Sequence, residues 1–159
     1  MGPSEEAIIV GILRLADEIA MQRPGSVVVI QGLLPRSSFN DGHLESTPLH
    51  QQKYYYRPEQ YPLWPSIELI NEELEKFFQN HEHMIYFDTT ALFFASLGDE
   101  QFKSSENVIL KNLMTDYTHP SLKGYEVLAE AMGKELNRII YEHDEENHKI
   151  TANEDKSTR

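Results

Sequence analysis

The sequence has no cysteine, few basic residues and no long apolar run, and each absence excludes a class of protein. Without cysteine there are no disulfides and no thiolate metal sites, which fits a reducing, cytoplasmic compartment. Against 26 acidic residues stand 14 lysines and arginines, and the formal charge of −12 argues against nucleic acid or anionic membranes as partners. No apolar run is long enough to span a bilayer, so we expect no transmembrane segment.

The apolar residues that are present suffice for one domain of 159 residues. We place that domain at residues 1–142, because the polar stretch 143–159 has no core-forming pattern and predicts a disordered acidic tail. Within the domain, residues 38–63 lack periodicity and are rich in proline and tyrosine, which indicates an insertion loop. This loop is either an exposed insertion whose tyrosines cover one edge of the core or a substrate-binding lid.

Helices and short strands alternate along the chain. Helical spacing of apolar residues predicts three main helices, over residues 4–22, 66–80 and 121–142. Apolar runs at 27–30 and 84–88 predict strands, and the first is continuous, as in a strand buried on both faces of a parallel sheet. This alternation is typical of a layered α/β fold. Three apolar stripes are expected to face the core. They are Ile8, Ile12, Leu15 and Ile19, widened by Ile9 and Ala16; Ile67, Ile70, Leu74 and Phe77, with Phe78 beside them; and Leu122, Tyr125, Leu128, Met132, Leu136 and Ile139.

The most informative stretch lies just before the third helix. Asp116 and His119 stand three residues apart, and Pro120 prevents a helix from running through His119. Ser121 is a suitable N-cap, so we expect His119 in a rigid loop at the helix start, with the Asp116 carboxylate in reach of its ring. A carboxylate on one imidazole nitrogen leaves the other nitrogen basic, as in the back half of a hydrolytic triad. The alternative is that Asp116 only caps the turn and His119 is an ordinary surface residue.

Two pairs of histidines raise the question of a metal site. His81 and His83 are two residues apart, and His43 and His50 are seven apart. Neither pair has the i, i+4 spacing on a helix with an acidic partner that a metal site would favour. We therefore expect no metal and no cofactor.

Other polar and aromatic residues near the predicted strand ends and the third helix have simpler interpretations. Tyr117 and Tyr125 are interpreted as packing residues in preference to catalytic ones. Asp88 follows a strand and is interpreted as a loop cap in preference to a site residue. Arg36 either holds a nearby carboxylate or caps its own loop, and the sequence does not separate these.

Three stretches, in their order and spacing, resemble the SGNH (GDSL-type) hydrolases. They are an apolar strand running into Gly-Leu-Leu-Pro-Arg at 27–36, a strand ending in Asp at 85–88, and Asp-Tyr-Thr-His-Pro-Ser-Leu-Lys-Gly-Tyr at 116–125. Within that family the pattern is most similar to the catalytic subunits of intracellular platelet-activating-factor acetylhydrolase. The resemblance implies a three-layer, flavodoxin-like α/β fold and an esterase acting on short acyl groups such as acetyl.

The family's first three blocks, which carry the nucleophilic serine, a glycine and an asparagine, have no counterpart here. The only Gly-Asp pair is Gly98-Asp99, and Glu100 follows it where a serine is required. The resemblance therefore implies a fold truncated at the N-terminus, with about two parallel strands and three main helices. By resemblance His119 is the general base and Asp116 orients it, while the serine and the oxyanion-hole donors belong to the absent blocks.

Two classes of function follow from this pattern. In the first, the chain is the C-terminal part of a serine esterase for ester or acetylated small-molecule or lipid substrates, inactive alone. In the second, it is a non-catalytic, SGNH-derived protein-interaction module that forms homo- or hetero-oligomers through an exposed sheet edge. The strand at 27–30, left without its usual neighbour, would present such an edge.

Overall fold

The computed structural model describes residues 4–37, 39–44, 63–94 and 108–157, with side chains described as far as residue 142. The predicted insertion loop at 38–63 therefore lies largely outside the described residues. The described chain is a mixed α/β structure, with three α-helices and two parallel strands. In chain order its elements are α1 (Glu5–Gln22), β1 (Val28–Gln31), α2 (Trp64–Phe78), β2 (Met84–Phe87), a 3₁₀ turn (Thr90–Phe93) and α3 (Leu122–Ser157).

The strands β1 and β2 pair in parallel, with Val28 opposite Met84 and Gln31 opposite Phe87. This confirms the α/β class and the parallel pairing that the sequence predicted. The strand β1 is less buried than expected, because Ile30 alone is fully buried and Gln31 is exposed. Within the described part of the chain β1 has β2 as its one neighbour, so its other edge is unpaired.

One hydrophobic core lies between the sheet and the helices α1 and α2, which pack on the same face. Ser4 caps α1 by accepting the backbone N–H of Ala7 at 3.3 Å, and the acidic first turn suits the positive end of the helix dipole. Full burial of each large side chain in this core contributes about 1.5–3 kcal/mol. The buried members are Ala16, Ile30, Ile70, Leu74, Phe78 and Met84.

A second core lies where the 3₁₀ turn and the 108–117 stretch meet the first turns of α3. Its buried members are Phe93, Ile109, Leu113, Met114 and Tyr117. Val127 and Leu128 of α3 pack against them. Antiparallel bridges, His43 with Val108 and Phe94 with Ile109, hold this part together. The second core is the support of the turn that carries Asp116 and His119.

The predicted apolar stripes were partly wrong. In α1 Ala16 is buried, as the widened stripe predicted, whereas Leu15 and Ile19 of the same stripe are exposed. In α2 the sequence placed Phe77 on the stripe and Phe78 beside it, but Phe77 is exposed and Phe78 is buried. Helical spacing alone defines a stripe to within about one residue, and packing decides which flank is covered.

The helix α3 departs from its prediction in its buried face and in its length. Leu122, Tyr125 and Leu136 are exposed, because Gly124 approaches Leu113 and turns the neighbouring face inward. The backbone stays helical to Ser157, well past the predicted end near residue 142 and through most of the stretch predicted to be disordered. No proline or glycine follows Gly133 to end the helix. None of the helices in the described ranges is long and apolar enough to cross a membrane.

Candidate active site

Asp116 and His119 form a hydrogen-bonded pair in the turn before α3. Nδ1 of His119 lies 2.7 Å from Oδ2 of Asp116. The turn ends at Ser121, whose hydroxyl accepts the Gly124 N–H at 3.1 Å and so caps α3, as the sequence predicted. The expected loop position of His119 and its contact with Asp116 are therefore both present in the structure.

The Asp116 carboxylate also organises the backbone of this turn. Its Oδ1 accepts the N–H groups of Thr118 at 3.0 Å and of His119 at 2.8 Å. The hydrogen bond from the His119 ring, followed by these two backbone bonds, holds the pKa of Asp116 well below its usual range. Asp116 thus accepts hydrogen bonds from the backbone of its turn and from the imidazole at the same time. At neutral pH the group beside the imidazole is a carboxylate.

The second imidazole nitrogen of His119 faces outward. The His119 side chain is 78% exposed and that of Asp116 is 55% exposed. Among the described residues no hydroxyl hydrogen-bonds to Nε2 of His119, and the adjacent hydroxyls have other partners. Ser121 Oγ donates to the Asn112 carbonyl at 2.6 Å, and Thr118 Oγ1 donates to the Asp116 carbonyl at 3.4 Å. Nε2 is therefore available to a group from outside this part of the chain.

Two close contacts fix the turn against the second core. The Ser121 N–H donates to the Leu113 carbonyl at 2.7 Å. Gly124 lies over the same carbonyl, and a Cβ at position 124 would clash with the Leu113 oxygen and approach Phe93 to 3.2 Å. The packing against Leu113 and Phe93 therefore explains why glycine stands in the Gly-Tyr pair of the 116–125 sequence pattern. A side chain there would push α3 away from the turn.

The carboxyl end of the sheet is held by a buried polar network centred on Asn71 of α2. Asn71 Oδ1 accepts the Leu33 N–H at 2.8 Å, and its Nδ2 donates to the Leu33 carbonyl at 2.9 Å and to Thr90 Oγ1 at 3.2 Å. Thr89 Oγ1 donates to the Gly32 carbonyl at 3.0 Å. The network fixes the segment leaving β1 against the segment leaving β2, where ligand sites form in open parallel sheets.

Sequence reasoning missed this network and the part that Ser37 plays. The Ser37 N–H donates to the Tyr117 carbonyl at 3.0 Å and so joins the segment after β1 to the turn of the Asp–His pair. One signal for the network was present, since Asn71 is a polar residue directly after Ile70 within an apolar helix face. Nothing in the sequence pointed from Ser37 to Tyr117, because backbone bonds between distant loops leave no side-chain pattern.

The structure also bears on the other polar and aromatic residues that the sequence singled out. Tyr117 is buried in the second core, as a packing residue should be, whereas Tyr125 is 57% exposed and does not fit that interpretation. Asp88 Oδ1 accepts the Thr90 N–H at 2.8 Å, which confirms the loop cap. Arg36 is exposed.

Two of the histidines weighed as metal ligands in the sequence have local side-chain contacts. His43 pairs with Asp41 at 3.2 Å, and the His81 ring stacks on Phe77 with centroids 4.9 Å apart. His50 lies outside the described residues. No group of three potential metal ligands occurs within the ranges that the structure covers.

Two open cavities of about 220 and 280 Å³ lie beside α2 and β2. The first is lined by Trp64, Tyr86 and Asp88 among others, and the second by Phe78, His81 and Met84 among others. Neither is lined by Asp116 or His119, so neither is a substrate pocket for the pair.

Comparison with known proteins gave no match, either to a protein-family model or among curated proteins.

Proposed function

We propose that this chain supplies the acid–base half of an SGNH-type serine esterase that hydrolyses carboxylic esters, with short acyl groups such as acetyl favoured. The observation that carries the proposal is the 2.7 Å contact between His119 Nδ1 and Asp116 Oδ2, with the other ring nitrogen turned to solvent. In the sequence this pair occurs inside the block that resembles the family's last motif.

The chemistry assigns one role to each residue of the pair. Because Asp116 accepts at Nδ1, the neutral His119 carries its proton there, and Nε2 is a free base. Nε2 takes the proton of a serine hydroxyl as that oxygen attacks the ester carbonyl, and then returns the proton to the leaving alcohol. The Asp116 carboxylate stabilises the imidazolium between these two steps and keeps its own ionised form throughout.

By resemblance, the nucleophile belongs to a sequence block that has no counterpart in this chain. No Gly-Asp-Ser occurs in the chain, and no described hydroxyl reaches Nε2. The unpaired edge of β1 is where a further parallel strand would fit. The Val28 N–H donates to the carbonyl of His83, directly before β2, and the Gly32 N–H donates to that of Phe87. The backbone groups of Val29 and Gln31 therefore project from the other edge. A serine turn following such a strand would emerge at the carboxyl end of the sheet, to which Ser37 ties the Asp–His turn.

A second candidate function, a protein-interaction module without catalysis, is favoured by the exposed apolar side chains of two helices. On α1 they are Val10, Leu15, Ile19 and Met21, and on α3 they are Leu122, Tyr125, Leu136, Ile140 and Tyr141. Exposed apolar residues, together with an open strand edge elsewhere in the fold, are suited to contact another polypeptide. This candidate differs from the first in requiring a stable, well-folded chain on its own and no contribution from His119.

Hydrolysis of p-nitrophenyl acetate tests the first function. We would compare the chain alone with the chain joined to an N-terminal segment from an SGNH hydrolase that carries the serine, glycine and asparagine blocks. Alone, the chain should hydrolyse the ester no faster than an exposed histidine would. Joined, it should gain a turnover that falls by about 10²–10⁴-fold in His119→Ala and by as much as about 10⁴-fold in Asp116→Asn.

The control for the joined protein is His81→Ala, since the His81 ring stacks on Phe77, and neither residue belongs to the pair's turn. This variant should keep the full turnover. A well-folded joined protein whose activity is absent, or is unchanged by His119→Ala, would refute the esterase role. If the chain alone sediments as a stable, stoichiometric complex with a partner, while the joined protein stays inactive, the interaction module is the better account.

A further inference from the structure

Tyr117, between the two members of the Asp–His pair, has an unusual backbone conformation. Its φ is 55°, in the left-handed region, and no other non-glycine residue among those described has a positive φ. Bulky side chains avoid this region, and such a residue persists only where its surroundings hold it there. Tyr117 is also 93% buried, in a turn whose other functional side chains are exposed. The combination points to a role beyond filling the core.

The left-handed conformation directs the backbone of the whole turn. Asp116 Oδ1 accepts the N–H groups of Thr118 and His119, both of which follow Tyr117 in the chain. A rotation about the φ of Tyr117 would swing both N–H groups, and with them the imidazole, away from the carboxylate. The 2.7 Å contact at Nδ1 therefore depends on the conformation of Tyr117.

Contacts on three sides hold Tyr117 in place. Its N–H donates to the Met114 carbonyl at 3.1 Å, and its carbonyl accepts the Ser37 N–H at 3.0 Å. Its ring lies against Gly42, where a Cβ would come within 2.6 Å of Cε1 and 2.8 Å of Cδ1. Gly42 itself has a φ of 81°, so both the space and the backbone conformation at that position require glycine.

The surface that receives the ring is itself fixed. Ser37 Oγ donates to the His43 carbonyl at 2.5 Å and accepts the Phe39 N–H at 3.0 Å. The Gly42 carbonyl accepts the Ile109 N–H at 2.9 Å. The turn at 39–44 is thereby tied both to the segment leaving β1 and to the second core, and it cannot move away from the ring without breaking these bonds.

We infer that Tyr117 is the positioning residue of the Asp–His pair. Its buried ring, seated on Gly42, locks the left-handed backbone that brings Asp116 and His119 together. That this positioning serves catalysis rests on the proposed function. The contact between Asp116 and His119 that Tyr117 positions is present in the chain without any added segment. The hydroxyl of Tyr117 makes no hydrogen bond to any described residue, so the ring and the backbone are what matter. Tyr117→Phe is accordingly the conservative variant.

The test is nuclear magnetic resonance of the full chain in four forms: wild type, Tyr117→Phe, Tyr117→Ala and Tyr117→Leu. The ¹⁵N shifts of the His119 ring report which nitrogen carries the proton, and the ¹³C shift of the Asp116 carboxyl follows its titration. Wild type and Tyr117→Phe should show the Nδ1–H tautomer and a depressed Asp116 pKa. In Tyr117→Ala and Tyr117→Leu, the pKa should return towards about 3.9 and the Nε2–H tautomer should appear.

Circular dichroism and thermal unfolding separate positioning from overall stability. Tyr117→Leu keeps apolar bulk in the core, so it is expected to remain folded even if Tyr117→Ala does not. A folded Tyr117→Leu with an unchanged tautomer and an unchanged Asp116 titration would overturn the inference. Loss of the Asp116–His119 hydrogen bond in Tyr117→Phe would also overturn it. The same holds if Tyr117→Ala and Tyr117→Leu lose this hydrogen bond only because both unfold. An inactive joined esterase would leave these outcomes unaffected, because no ester is involved.

Discussion

The substitution Gly124→Ala should lower the stability of the protein, although alanine normally stabilises a helix. Alanine exceeds glycine in a helix interior by roughly 0.5–1 kcal/mol, through backbone entropy. At position 124 the added methyl group would clash with the Leu113 carbonyl oxygen and lie 3.2 Å from Phe93 Cε1. That carbonyl cannot easily move, because it also accepts the Ser121 N–H at 2.7 Å. Overpacking of this kind costs about 1–3 kcal/mol.

The matched control is Gly133→Ala on the same helix. A Cβ at position 133 would meet nothing within 4 Å, so this variant should show the ordinary gain. Because the helix propensity term is similar in both variants, their difference in unfolding free energy isolates the clash, at about 1–3 kcal/mol. For a chain of 159 residues, about 2 kcal/mol corresponds to a difference of about 4–8 °C in Tm. Urea and thermal unfolding followed by circular dichroism measure both quantities. If the two variants agree within about 0.5 kcal/mol, the described contact between α3 and the Leu113 turn is wrong.

Two further predictions concern the pair and the sheet end. The pKa of Asp116 is lower in the native state than in the unfolded state, so in acid the native state binds fewer protons than the unfolded state. The stabilisation by the Asp116 hydrogen bonds is therefore present above about pH 5 and is lost as the pH falls through about 4 and below. The difference in unfolding free energy between wild type and Asp116→Asn should therefore be constant near neutrality and shrink in acid; a difference that grows in acid would contradict the pairing. Asn71→Leu should cost about 1–3 kcal/mol in urea unfolding, since it leaves the half-buried Leu33 N–H without its partner and the Leu33 carbonyl with only the 3.5 Å contact from Thr90 Oγ1. The exposed control Asn137→Leu should stay within about 0.5 kcal/mol, and equal effects would argue against the network.

The elements that local chemistry determines were predictable from the sequence. The Ser121 cap, the loop position of His119 and the Asp88 cap each depend on residues within three positions along the chain, and all are present. The parallel pairing of the strands followed from the continuous β-branched run and the helix between them.

What the sequence could not supply depends on contacts between distant segments. Leu15 and Tyr125 stood on apolar stripes, yet the packing of Ala16 and Gly124 turned the neighbouring flanks inward. The long extension of α3 shows that a polar composition without proline or glycine is compatible with helix as well as with disorder. The left-handed Tyr117 could not be read from its residue type, because tyrosine rarely adopts that conformation.

The central claim is that the chain holds a catalytic base and its orienting acid without the hydroxyl that they activate. Mass spectrometry after treatment with a fluorophosphonate, which phosphonylates activated serines, tests this most directly. We expect no adduct on the chain alone, and one adduct per molecule on the chain joined to the serine-bearing segment, lost in His119→Ala. A stoichiometric adduct on a serine of the chain alone, abolished by His119→Ala, would show that the nucleophile is already present and would contradict the claim.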